Sequence, residues 1–139
     1  MRLELLCEMT LSYRGTFILA RPYGGEAGSG YGEGEGSASG ERLRGTVRWA
    51  NHPKRRADGA MLPDVHGVIA TDDGADVLFT LRGRTIFRHG LQGRQDLVAL
   101  FESEHERYRW LNDIICVAEG LIAMPASRLR IYVCVNELA

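Results

Sequence analysis

Lysine is nearly missing from this chain: Lys54 is the single one among 17 basic residues, and the rest are arginines. Against 18 acidic residues they leave a formal net charge of -1, so no uncompensated basic field exists to hold a polyanion. Nucleic acid is therefore not an expected partner. An arginine bias is compatible with planar anion recognition, but a GC-rich coding background produces the same bias, and these arginines are scattered along the chain.

Cysteine is also scarce. Cys7, Cys116 and Cys134 stand far apart with no CxxC, and each lies in an apolar, strand-like segment. That pattern reads as buried, inert thiols rather than a zinc or redox centre. The histidines His52, His66, His89 and His105 are isolated, without the HxH and later glutamate that mark metal-binding cupin barrels. No metal and no cofactor is expected. There is no GxSxG elbow and no cysteine beside a histidine, so covalent hydrolysis has no support. Long apolar runs are missing as well. The start, MRLELLCEMTLSY, alternates instead of running apolar like a signal peptide, and no stretch has the length of a membrane span. The reading is a cytoplasmic protein with no membrane partner.

What remains is ordinary globular material: 139 residues, 45% apolar and 25% charged, the size of one domain spanning 1–139. Its periodicity is two. Leu3, Leu5, Cys7, Met9, Leu11 and Tyr13 form the apolar face of a first strand, with a turn expected at Arg14-Gly15 into a second, Thr16 to Ala20. Arg21 to Gly30 is glycine-rich and reads as a loop. Leu43 to Ala50 alternates; Asn51 to Gly59 breaks the pattern with Pro53 and a DG turn signal. Met61 to Thr71 resumes as a strand, and Asp72-Asp73-Gly74 makes a hairpin into Asp76 to Leu81. A turn is expected at Arg82 to Arg84 before Thr85 to Phe87, and further strands at Asp96 to Phe101, Ile114 to Ala118 and Leu129 to Val135. Ser103 to Glu106 fits a capping box, which predicts a short helix near Glu104 to Asn112.

About nine or ten strands with short connections give an all-β, antiparallel fold. Only closure or a sandwich hides so many edges, and a meander of hairpins closes without crossovers, so a β-barrel with paired first and last strands is the expectation.

Tyr31 to Gly40, YGEGEGSASG, is not a phosphate loop, because it has no Lys-Ser/Thr and no following helix, and its glutamates would repel phosphate. It reads as a strand with Tyr31, Glu33, Glu35, Ser37 and Ser39 on one face and Gly32, Gly34, Gly36 and Ala38 on the other. The bare face makes room for an aromatic ring, a second backbone or a ligand.

Gly40 to Thr85 resembles the domain of unknown function 3237 family of small bacterial and fungal proteins. The resemblance is carried by GERLRG at Gly40 to Gly45, RADG at Arg56 to Gly59, Pro63-Asp64 and TDDGA at Thr71 to Ala75, then by Tyr108, Trp110, Leu111 and Asn112 downstream. Two places depart from it, RWANH at Arg48 to His52 and His66-Gly67 after the aspartate. The resemblance implies an antiparallel β-barrel and brings no settled activity.

Candidate chemistry follows from residues that share faces. Asp64 and His66 sit two apart on one strand face, an arrangement that can tune a general base or simply tie down a barrel end. Glu33 and Glu35 stand roughly 7 Å apart, which suits either a solvated face or an acid and base pair. Arg48, Trp49, His52, Lys54 and Arg55 form a local basic and aromatic patch suited to a carboxylate-bearing or aromatic ligand. Arg56 and Asp58 flank a turn. The leading expectation is a barrel pocket for a small organic molecule, anionic or aromatic, fed by Glu35, Arg48, Trp49, Arg56, Asp64 and His66. The alternatives are a cofactor-free isomerase, cyclase or lyase using Asp64 or His66 as acid and base, and a non-catalytic homo-oligomer whose barrel is solid.

Overall fold

The computed structural model describes residues 1–139 and is built almost entirely of strands. They are β1 (Arg2–Ala20), β2 (Gly28–Ser39), β3 (Gly45–Asn51), β4 (Lys54–Arg55), β5 (Met61–Leu62), β6 (Asp64–Thr71), β7 (Asp76–His89), β8 (Gln92–Glu102), β9 (Cys116–Ala123) and β10 (Ala126–Val135). A 3-10 helix, Glu106–Asp113, lies between β8 and β9. Around the wall the order is β1, β2, β3, β6, β7, β8, β9, β10 and back to β1, with every neighbour antiparallel. This is a closed meander barrel whose first and last long strands pair, as the alternation predicts. At one end the short β4 and β5 bridge β2 to β7, so the wall there takes a second route around the mouth.

Four local expectations are corrected. Arg14-Gly15 is not a hairpin turn: β1 runs on to Ala20, and Gly15, at φ 71°, makes a bulge where the register against β2 slips between Arg14 and Ile18. Arg82 to Arg84 is not a turn either, since β7 continues through it to His89, paired residue by residue with β8. The helix starts at Glu106 with His105 as its cap, the imidazole Nδ1 accepting from the Arg107 amide at 3.2 Å. Ser103 sits one step too early: its hydroxyl donates to the Asp76 carbonyl at 2.9 Å and accepts from the His105 amide at 3.3 Å, before the helix begins. A second bulge between Leu5 and Cys7 turns Leu6 inward and leaves Leu3 and Leu5 outside, so the apolar face of β1 does not extend to its first residues.

The core fills the lumen from its middle toward the helix. Met9, Ile69, Val77, Leu81, Ile131 and Leu111 are almost fully buried there. The bare face of β2 makes that packing possible toward the opposite end. A Cβ on Gly32 would lie 2.5 Å from the Tyr13 ring, and one on Gly34 would lie 2.6 Å from the Trp49 ring. Tyr13 meets Trp49 edge to face at 4.6 Å and Phe17 at 5.5 Å. Aromatic rings from β1 and β3, with the β1 backbone at Ser12 and Thr10 against Gly34 and Gly36, therefore occupy the room the glycines leave. They form a slanting floor beneath the open mouth.

Candidate functional site

The inward face of the strands changes character at that mouth. On β3 the series Val47, Trp49 ends in Asn51; on β7, Phe79 and Leu81 lead to Thr85; on β8, Phe101, Ala99 and Leu97 lead to Gln95; on β10, Ile131 and Leu129 lead to Ser127. All four polar side chains are buried, and all four lie at the same end of the barrel. Above them opens a cavity of about 480 Å³, walled by apolar residues such as Phe17, Met61, Phe87, Leu91 and Met124. A smaller void of about 30 Å³ lies beneath, bordered by Trp49, Gln95 and Ser127.

The polar groups of the mouth are held in fixed orientations. Asn51 Oδ1 accepts from the Asp64 amide at 3.0 Å, which turns Nδ2 toward Tyr13, whose hydroxyl oxygen accepts it at 2.8 Å. The Tyr13 proton is then left for another acceptor. Burial raises the Tyr13 pKa more than the Asn51 bond lowers it, so the phenol stays neutral and remains a donor. Gln95 Nε2 donates to Thr85 Oγ1 at 3.0 Å. Its Oε1 has no partner, and neither does Arg55 Nε; these are the two buried side-chain polar atoms of the protein left without a hydrogen bond. Both residues line the 480 Å³ cavity.

The charges at the mouth are already matched. Arg55 Nη2 pairs with Glu26 at 2.6 Å. Asp58, on the rim, accepts from Arg56 Nε at 3.1 Å and Nη2 at 2.8 Å, and from the Ala60 amide at 3.2 Å. The Arg56 bonds, then the Ala60 amide, hold the Asp58 carboxyl down to about 2, so it carries no proton to give near neutral pH.

Of the residues singled out from the sequence, Arg56 is on this rim and Trp49 lies in the floor, 6% exposed, its Nε1 donating to the Glu35 carbonyl at 3.1 Å. The others face away from the lumen. Glu35 pairs with Arg14 on the outer surface, and Arg48 alternates outward from Val47 and Trp49. Asp64 and His66 do meet each other, Oδ1 to Nε2 at 3.0 Å, with Arg82 Nε donating to Asp64 at 3.0 Å. Desolvation pushes the Asp64 pKa up, but the Arg82 bond and charge, then His66, bring it below its ordinary value on balance. This trio lies on the outside of β6, because the inward positions of that strand are Val65, Gly67 and Ile69. The structure thus does not bring Asp64 and His66 together with Arg56 and Trp49. Arg55, of the basic patch expected from the sequence, does line the mouth, whereas Tyr13, Asn51, Thr85 and Gln95 are mouth residues that chemistry-by-motif passes over; their signal is a polar side chain on the inward parity of an otherwise apolar strand face.

Cys7 and Cys116 are buried, and desolvation first, then a neighbouring thiol, raises each to about 12, which makes them inert. No group of three or more His, Cys, Asp or Glu is arranged to hold a metal ion, and no helix is long and apolar enough to cross a membrane.

No family model matches the chain, and no curated protein matches it. Solved structures do. A β-barrel-like protein from Acinetobacter baumannii superposes with a TM-score of 0.85 at 17% identity, over 95% of this chain and 94% of that one. A protein of unknown function from Clostridium acetobutylicum gives 0.86 at 19% identity, over 97% and 100%. An enzyme from Penicillium herquei gives 0.74 at 22% identity, over 94% and 93%. The likeness is one of fold: this is a β-barrel-like protein of the same architecture.

Proposed function

We propose that the chain binds a small organic molecule in the open end of its barrel. The observation that carries this reading is the cavity itself: about 480 Å³, apolar for the most part, with Tyr13, Asn51, Thr85 and Gln95 among the residues that line it, a size and make-up usual for ligand sites. The test is native mass spectrometry of freshly purified protein beside a Met61→Trp variant that fills the mouth. A retained small-molecule adduct, lost in the variant, is the expected result. Absence of any adduct, together with a melting temperature unmoved by a panel of aromatic ketones and phenols, would sink the reading.

A second reading, a cofactor-free isomerase, cyclase or lyase, is favoured by the Tyr13 hydroxyl, a neutral donor aimed by Asn51 and Asp64 N. The enzyme from Penicillium herquei is consistent with catalysis on this architecture. Against it, the cavity wall offers no free base: it contains no histidine, and its carboxylate, Asp58, is held by Arg56. Binding is the better supported of the two. The resemblance to the domain of unknown function 3237 family extends the proposal to that family's barrels.

A further inference from the structure

We propose that the outer face of β9 is the contact between two copies of this chain, related by a two-fold axis running along that strand. The proposal is independent of the binding reading. It starts from Ile114 to Ala123, IICVAEGLIA, which holds one charge in ten residues. A strand of an antiparallel wall with one face in water alternates, whereas one that is apolar at both parities reads as covered on both sides. The inward parity, Cys116, Ala118 and Ile122, is buried in the barrel. The outward parity is Ile115, Val117, Glu119 and Leu121, and Ile115 and Leu121 stand 57% and 62% exposed.

Register carries this apolar face onto both neighbours. Val98 on β8 and Tyr132 on β10 flank Val117, and Leu100 and Cys134 are the next outward positions on those strands. The Ile115 carbonyl accepts from the Cys134 amide at 2.9 Å, which continues the pairing to the end of the strip. Val98 and Leu100 are nearly half exposed. The opposite wall is different: β2 turns out Glu33, Glu35, Ser37 and Ser39, and β3 turns out Thr46 and Arg48. An apolar strip confined to one side of a barrel marks an interaction face. None of its side chains lines the mouth cavity.

The charges at its edges say what covers it. Asp96 on β8 and Arg130 on β10 flank Glu119 at one level, with opposite signs. A two-fold axis along β9 exchanges the flanks and keeps the level, so Arg130 of each copy meets the partner's Asp96. The same operation lays Val98 and Leu100 on the partner's Tyr132 and the partner's Cys134. This face is therefore complementary to its own image, as an isologous interface requires. Glu119 meets its own image on the axis, and Arg94 and Arg128, which flank Leu121, are brought together one level nearer the mouth. Those arginines lie beside the paired Glu119 carboxylates and offset them, and Tyr132 donates to Glu119 at 2.7 Å. A stable dimer buries about 800 Å² per partner as an apolar centre inside a polar rim, the division seen here.

Sedimentation velocity of the full chain tests this, with twice the mass of one chain expected. Val117→Arg sets an unpaired charge at the centre of the strip and should weaken association about a hundredfold, while the circular dichroism of the parent is retained. Asp96→Arg and Arg130→Asp, both exposed, carry the test if that variant does not fold. Each makes the two edges alike in sign, so each alone should be monomeric at a concentration where the parent is a dimer. Mixed in equal amounts they should dimerise, because every edge then meets its opposite. A parent that is monomeric at every concentration overturns the proposal and gives the strip to a different partner. A dimer untouched by Val117→Arg lies on another face and overturns it as well. Single charge variants that stay dimeric, or a mixture that stays monomeric, overturn the two-fold along β9.

Discussion

The two ends of this barrel are built from the same strands and differ in what they do with polar groups. At the end covered by the 3-10 helix every such group is engaged. Asp73 accepts from Thr71 at 2.6 Å, from Tyr108 at 2.8 Å and from Arg107, while Ser103 and Asn112 exchange two bonds at 2.7 and 2.9 Å. Leu111 inserts beneath this network with no exposed surface. At the other end no helix covers the lumen, the aromatic floor stops short of the rim, and two buried atoms go unpaired. One end is closed by the chain itself; the other stays open onto a cavity of about 480 Å³. If that cavity is a binding site, substitutions at the two ends should have opposite signatures.

The largest expected effect lies at the closed end. Leu111→Ala removes a fully buried side chain from the plug, and chemical denaturation should register a loss of about 2–5 kcal/mol. Affinity for a ligand at the open end should stay within about twofold, since the two sites share no partners. A large loss of affinity would show that the ends are coupled and break the comparison.

Acid should probe the same end next. The Thr71 hydroxyl bond first, then Arg107 and Tyr108, hold the Asp73 carboxyl well below its ordinary value. A carboxylate lowered in the folded state contributes stability that is present above the unfolded value near 4 and is lost as pH falls through the folded one. Asp73→Asn should therefore cost stability at neutral pH, and the gap between variant and parent should narrow progressively below about pH 4. Denaturation curves across that range read it directly. A gap independent of pH would mean that Asp73 acts by shape and not by charge.

The fold was legible because it is written in a period of two that needs no knowledge of partners: β3, β7, β8 and β10 each alternate, and closure follows from counting edges. What escaped were the slips in that period. At Gly15 and at Leu5–Cys7 an inserted residue is cheap for a strand already bent around a barrel, and nothing local distinguishes a glycine bulge from a glycine turn. The site was less legible for a related reason. Asp64 and His66 attract notice as chemistry, yet their parity with Val65 and Ile69 assigns them to the outside. Gln95, Asn51 and Thr85 carry no motif and come from three separate strands. Register pairs Thr85 with Gln95, and only the closed barrel brings Asn51 to the same cavity. The alternation in β2 says that its glycine face makes room, but parity alone does not say that Tyr13, Trp49 and the β1 backbone fill it.

The smallest effect is the one that discriminates best. Gln95→Leu keeps volume and apolar fit while deleting the unpartnered oxygen, at the cost of one neutral bond to Thr85. In a protein finished by its own contacts such a change destabilises, as Ser103→Ala should at the closed end, by about 1 kcal/mol through its bond to the Asp76 carbonyl. If Gln95 is not a structural residue, the empty protein should instead stay close to the parent, because the unmet Gln95 oxygen is removed while the buried Thr85 hydroxyl loses its partner. Thermal melts of the two variants, run without ligand, give the answer by size. A Gln95→Leu protein that loses more stability than Ser103→Ala would make Gln95 a structural residue, and the open end would then be an unfinished copy of the closed one.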